Sequence, residues 1–193
     1  MRNTKIRALC ECAIMIALAF VLSCVRLYKM PLGGSVTMAS MLPIMLIAIK
    51  YGPKIGLGTS FIYSLTQLLQ AYTEGDVFPF CETGLTHVIC IVFDYVVPFT
   101  VLGLAGILKN VKLFGRRIVG AYVGMVAVVL VRFASHFITG VAIWGQWAPA
   151  GMGKYIYSLA YNGSFLTIDL AICLVCSVPM LCSRAIRKLI NID

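Results

Sequence analysis

Asp94, Arg132 and Asp169 are charged residues set inside long apolar runs, and His136 and Asn162 add polar groups to the same runs. Charge in a membrane interior is expensive and is usually kept for function. Arg132 and His136 are four residues apart and share a helix face, with Trp144 two turns further along near that face. In the next run Ser158 and Asn162 share a face, and Asp169 follows seven residues later. Asp94 has His87 seven residues before it and Pro98 four after it. Proline has no N–H, so the carbonyl of Asp94 loses its helical partner and a kink is expected there. Together Asp94, His136, Trp144, Tyr157 and Asn162 offer one anion, hydrogen-bonding groups and aromatic faces. That set suits a flat cationic ligand. The bland alternative is that Asp94, Arg132 and Asp169 pair with one another and tie helices together.

Other chemistries lack their residues. No glycine-rich phosphate loop, His-Glu-x-x-His pattern or Gly-x-Ser-x-Gly elbow occurs. Seven of the eight cysteines (Cys10, Cys12, Cys24, Cys90, Cys173, Cys176 and Cys182) lie in or beside apolar runs. Cys173 and Cys176 have metal-ligand spacing but no second pair or nearby histidine, so they read as small apolar packing residues.

The elements that must position these residues are membrane helices. Of the 193 residues, 61% are apolar and 12% are charged; the mean hydropathy is +0.95. Soluble domains hold about 45–50% apolar residues. A first apolar run ends near Arg26, and five more follow at 38–49, 55–72, 85–108, 118–144 and 155–182. The second is short and contains Pro43. Links between the runs are short, which predicts one membrane domain over residues 1–193 and six transmembrane helices.

The net charge of +9 is clustered at the ends of the runs, a topology signal and not a nucleic-acid surface. With the N-terminus inside, twelve basic residues face the cytoplasm: Arg2, Lys5 and Arg7; Lys50 and Lys54; Lys109, Lys112, Arg116 and Arg117; Arg184, Arg187 and Lys188. Three face outward: Arg26, Lys29 and Lys154. Both termini are therefore expected in the cytoplasm, with loops 26–37, 73–84 and 145–154 outside. Tyr28, Trp144, Trp147 and Tyr155 lie at the outer level, where some must form an interfacial aromatic belt.

Four blocks carry a family resemblance. The first runs Pro31-Leu32-Gly33-Gly34-Ser35-Val36-Thr37-Met38-Ala39-Ser40-Met41-Leu42-Pro43. The others are Asp94-Tyr95 ahead of Pro98 and Leu102-Gly103-Leu104-Ala105-Gly106, His136-Phe137-Ile138-x-Gly140 with Trp144, and Tyr157-Ser158-Leu159-Ala160-x-Asn162-Gly163. In these blocks the chain resembles the thiamine-specific substrate-binding subunits, or S components, of energy-coupling factor transporters, over essentially its whole length.

The resemblance implies an all-α, multi-pass bundle of six helices in a bacterial cytoplasmic membrane, with a pocket opening outward. The loop carrying Ser35 and Thr37 becomes a lid, and these two residues are expected to join the ligand-binding set. Asp94, Tyr95, Arg132, His136, Trp144, Tyr157 and Asn162 fall at ligand-binding positions. Asp94 stands where glutamate is common, and Arg132 where lysine occurs. Ala13 and Ala17 match a helix-one motif that docks the subunit on its energising module. Thiamine is the implied ligand. The implied partners are a transmembrane T component and two ATPase subunits that use the ATP; the chain itself is expected to be no enzyme and to need no cofactor. The competing readings are an S component for another vitamin or a thiamine precursor, an intramembrane enzyme using Asp94, His136 and Asp169, and a ligand-free structural subunit.

Overall fold

The computed structural model describes residues 4–190 and 192; Arg2, counted above among the basic residues, lies outside them. Among the described residues, seven helices and one hairpin follow in chain order, besides short 3-10 turns. Helix α1 is Thr4–Cys24, and strands β1 (Arg26–Lys29) and β2 (Ser35–Thr37) form the hairpin. Helix α2 is Leu42–Tyr51, α3 is Pro53–Glu74 and α4 covers Gly84–Leu104. Helix α5 is Arg117–Ala142, α6 is Lys154–Cys182 and α7 is Arg184–Ile190.

Four of these, α1, α4, α5 and α6, are long and apolar enough to cross a membrane. Helix α3 has the length, at 22 residues, but Thr59, Ser60, Ser64, Thr66, Gln67 and Gln70 make it more polar. The short second run becomes the ten-residue α2. At about 1.5 Å per residue it spans about 15 Å, half of a bilayer core. Pro43 sits in its first turn, where its missing N–H is harmless, and everything from Leu42 to Ile49 is buried. Helix α2 is therefore the hub of the main core, with Met41, Ile44, Met45 and Ile49 packed among Tyr63, Leu102 and Met125.

Two expectations need correction. The chain is mostly helical, but the loop after α1 is an antiparallel hairpin in which Tyr28 faces Val36 and Lys29 faces Ser35. A further helix, α7, follows α6 and carries Arg184, Arg187 and Lys188, beyond the six helices expected.

The kink expected at Asp94 is present as a wide turn. Helix α4 opens with a capping box between Thr83 and Thr86, then widens to π geometry over Ile91–Val96 ahead of Pro98. The Val97 N–H reaches back five residues to Val92 O. Such bulges re-aim side chains and frequently sit at functional sites.

Close backbone approach brings α4 against α3. A Cβ on Gly103 would collide with the backbone of Gly56 and with Ser60 Oγ. The helices meet through glycine, as small residues allow in membrane bundles, and Ser60 Oγ donates to Thr100 O across the contact at 2.7 Å.

Candidate functional site

A pocket lies where the hairpin covers the ends of α4, α5 and α6. Asp94, Tyr95, Arg132, His136, Trp144, Tyr157, Asn162 and Ser35 all line it. The sequence reading therefore names eight groups that the fold collects from the hairpin, three helices and the short 3-10 turn after α5. Thr37 is the exception: its N–H and hydroxyl both donate to Asp169 Oδ1, at 3.1 and 2.9 Å, beneath the hairpin. Tyr63 is fully buried outside the pocket, packed edge-on against Phe99 at 5.7 Å.

Asp94 is the centre of the arrangement. Its Oδ2 accepts from Trp144 Nε1 at 2.9 Å. Its Oδ1 meets His136 Nδ1 at 3.0 Å and accepts a hydrogen bond from Thr139 Oγ1. Arg132 Nε faces His136 Nε2 at 3.4 Å. Arginine only donates, so Nε2 is the accepting nitrogen and Nδ1 carries the proton toward Asp94. A neutral His136 thus leaves the carboxylate as the anion of the pocket. A carboxylate held by three donors cannot rotate to follow a ligand, so its position is set before any ligand arrives.

The three charges do not form one direct cluster. Asp94 and Asp169 take separate hydrogen-bond partners, and no ion pair within 4.0 Å joins either to Arg132 among the described residues, although Arg132 and Asp169 lie near enough to attract each other. The Arg132 guanidinium lies over the Phe99 ring, 4.2 Å from its centre, and its buried Nη1 has no hydrogen-bond partner. A buried donor left unmatched at a pocket wall is a place for a ligand acceptor.

Asn162 is tied into the wall. Its Nδ2 donates to His136 O at 3.2 Å and to Ser158 O at 3.0 Å, which leaves Oδ1 as its uncommitted group. Gly140 makes this possible, because a side chain there would strike Ser158 and Asn162 and push α6 away from α5. The aromatic-belt question is resolved by burial. Trp144 is 9% exposed and faces Asp94, whereas Trp147, Tyr28 and Tyr155 are exposed at 45%, 62% and 61%.

The hairpin is fastened over the pocket on both sides. On one, Gly34 N–H donates to Tyr161 Oη at 3.0 Å, and that hydroxyl donates to Pro31 O. On the other, Arg26 pairs with Glu74 and Lys29 with Asp76. The turn between the strands uses left-handed backbone at Leu32 and Gly33, at φ 62° and 96°. Both residues line the pocket. Thr139 and Tyr161 were not singled out from the sequence. Thr139 is one turn beyond His136 on the same face, a spacing that could have pointed to it; Tyr161 carries no such signal, since its partner is 127 residues away.

The second place singled out from the sequence is on α1. Ala13 and Ala17 line an apolar groove between α1 and α3, together with Ile16, Phe20, Gly58 and Ile62. Leu9, also in its lining, is 71% exposed, and Ile14 on the same helix is 65% exposed.

The thiamine transporter ThiT of Bacillus subtilis (strain 168) is 32% identical over 198 aligned residues, covering 97% of both chains. ThiT of Lacticaseibacillus paracasei is 25% identical over 134 residues, 64% of this chain and 61% of that one. The structure of ThiT from Listeria monocytogenes covers 97% of this chain and 99% of its own, with a TM-score of 0.74 at 22% identity, a likeness of fold. The sequence model of the thiamine transporter protein (Thia_YuaJ) family matches residues 9–190. With that match over nearly the whole chain, and a relative 32% identical from end to end, the chain belongs to the thiamine transporter protein family.

Proposed function

We propose that this chain captures thiamine from the outer side of a bacterial cytoplasmic membrane, as the substrate-binding subunit of an energy-coupling factor uptake system. It is a transport protein, not an enzyme. The observation that carries this reading is the Asp94 carboxylate, fixed by Trp144, His136 and Thr139 in an aromatic-walled pocket. Thiamine brings a cationic thiazolium ring and a flat aminopyrimidine. Asp94 balances the cation, while His136 and Tyr157 offer ring faces, each contact contributing about 0.5–2 kcal/mol when desolvated. The Trp144 indole adds a face while its N–H holds Asp94. Asn162 Oδ1 and the unmatched Arg132 N–H supply an acceptor and a donor for the polar edges of the ligand. Tyr95 and Ser35 complete the wall; Thr37 acts from below, by tying the lid to Asp169.

The enclosed space is about 110 Å³, against about 300–1,000 Å³ for sites that hold small organic ligands. The hairpin must therefore swing outward to admit a two-ring molecule. Thiamine titrated into the purified protein should quench Trp144 fluorescence and saturate at one ligand per chain. Riboflavin binding in place of thiamine would keep the fold and overturn the substrate.

Delivery needs partners: a transmembrane T component and two ATPase subunits, docked on the α1–α3 groove at Ala13 and Ala17. Tryptophan at either alanine should block assembly while isolated-subunit binding survives; normal uptake in both variants would move the docking face elsewhere. The six-span topology with both termini cytoplasmic rests on the twelve-to-three basic bias. Reporters at the C-terminus and in the loop near Gly151 should report opposite sides, and one shared side would end that topology.

A further inference from the structure

At the end of the bundle away from the hairpin, a second hollow of about 580 Å³ lies between the turn before α5 and the last helices. Lys112, Arg116, Arg117 and Arg187 form its walls, and Ile118 and Ile192 are among its apolar lining. No acidic side chain lines it among the described residues.

The turn 113–116 is tight. Arg116 N–H donates to Leu113 O at 3.0 Å, and both central residues are left-handed, Phe114 at φ 51° and Gly115 at φ 75°. Glycine takes that backbone freely, but a bulky aromatic residue does not. The turn holds Phe114 there, 96% exposed, between the exposed cations Lys112 and Arg116. Helix α5 then starts at Arg117 with no acid in its first turn and no side-chain cap from Arg116. Basic residues at a helix N-terminus oppose the macrodipole, so the side-chain charge and the helix end add to one positive field.

A cationic hollow with an apolar lining, next to an exposed ring at the edge of a membrane helix, is a site for an amphiphile. A free phosphate would engage the cations but make no use of Phe114 or Ile118. We propose that this hollow binds an anionic phospholipid of the adjoining leaflet, its phosphodiester between Lys112 and Arg116 and an acyl chain along Phe114 and Ile118. Basic pockets and basic-aromatic segments at the membrane surface recognise acidic lipids in this way. The site needs the helices to cross a membrane but is independent of the thiamine pocket. Arg187 Nη1 already donates to Cys182 O at 2.8 Å and Arg117 holds contacts of its own, so the test rests on the other two cations.

Native mass spectrometry of the full chain in mixed micelles, with phosphatidylglycerol and phosphatidylcholine of matched acyl chains, reads the site. The wild type should retain phosphatidylglycerol about five-fold or more over phosphatidylcholine. Lys112→Gln with Arg116→Gln should bring that preference close to parity. Phe114→Ser, which removes no charge, should lower retention of both lipids. Circular dichroism and elution volume should match the wild type in each variant. Equal retention of the two lipids by the wild type, or an unchanged preference in the double variant, would overturn the proposal. Displacement of the lipid by inorganic phosphate would make this a free-phosphate site and overturn the lipid assignment. Loss of co-purifying partner subunits with lipid retention unchanged would make it a protein surface instead.

Discussion

The two ends of this bundle bury polar groups in opposite ways. At the hairpin end, Asp94, His136, Thr139, Ser158 and Asn162 are buried and bonded to one another across α4, α5 and α6. At the other end, helices meet backbone to backbone: Gly103 on Gly56, and Gly106 on Ala48. The polar contacts there bridge helices or finish helix ends. Lys109 donates to the final carbonyls of α2, Ile49 O and Lys50 O at 2.6 and 3.0 Å, and burial lowers its pKa. Glu11 gathers Arg7, Lys50 and Tyr51 at the same level. One end spends its buried polar groups on holding a carboxylate in place; the other uses close contact to keep the helices fixed. A binding site needs the first and a rigid frame needs the second.

The comparison predicts that substitutions at the pocket end change affinity more than stability, and that those at the glycine contact do the reverse. The largest effect is expected at Asp94. Asp94→Asn removes the one anion facing a cationic ligand, a loss of about 3 kcal/mol, or on the order of 100-fold in Kd. A neutral thiamine analogue should lose much less in the same calorimetric titration. Equal losses would place Asp94 with the frame. Next is Gly103→Val, which drives a branched side chain into the backbone of Gly56. Overpacking of this kind costs about 1–3 kcal/mol. Thermal unfolding in detergent should begin at lower temperature, while the fraction still folded binds thiamine with wild-type affinity.

Thr139 offers a finer test, because it touches Asp94 without lining the pocket. Thr139→Val keeps the shape and removes the hydroxyl, for about 1 kcal/mol or roughly five-fold in Kd. Thr139→Ser should restore binding. If serine fails to rescue, the methyl group matters and the hydrogen bond to Asp94 does not. The smallest effect is expected at the lid. Tyr161→Phe removes the hydroxyl that joins Gly34 and Pro31. Net hydrogen-bond contributions are about 0.5–1.5 kcal/mol. The change should appear chiefly as faster thiamine release in stopped-flow fluorescence; an unaltered release rate would show that the ion pairs of Arg26 and Lys29 hold the hairpin without it.

Much of this was legible in the sequence because membrane helices announce themselves by apolar length and because ionisable residues inside them are scarce. The four long spans and the weight placed on Asp94, Arg132 and His136 follow from those two rules; the turn disturbed ahead of Pro98 follows from the missing proline N–H, and Ser35 and Tyr95 came through the family resemblance alone. The hairpin was not legible. Arg26–Lys29 and Ser35–Thr37 are too short and too mixed in character to show strand alternation, and their pairing is completed by contacts to α3 and α6.

The sequence by itself determined which segments are apolar and long enough to cross a membrane, which charged residues sit within them, and to which family the pattern is similar. These are local properties, fixed by side-chain transfer energies and helix periodicity. Only the tertiary structure decided which of three buried charges meets which partner. It gave Asp94 to His136, Thr139 and Trp144, gave Asp169 to Thr37, and laid Arg132 over Phe99. Hydrogen bonds act over about 3 Å, and residues 42 to 132 positions apart come that close only when glycine contacts and a widened turn have set the helices against one another.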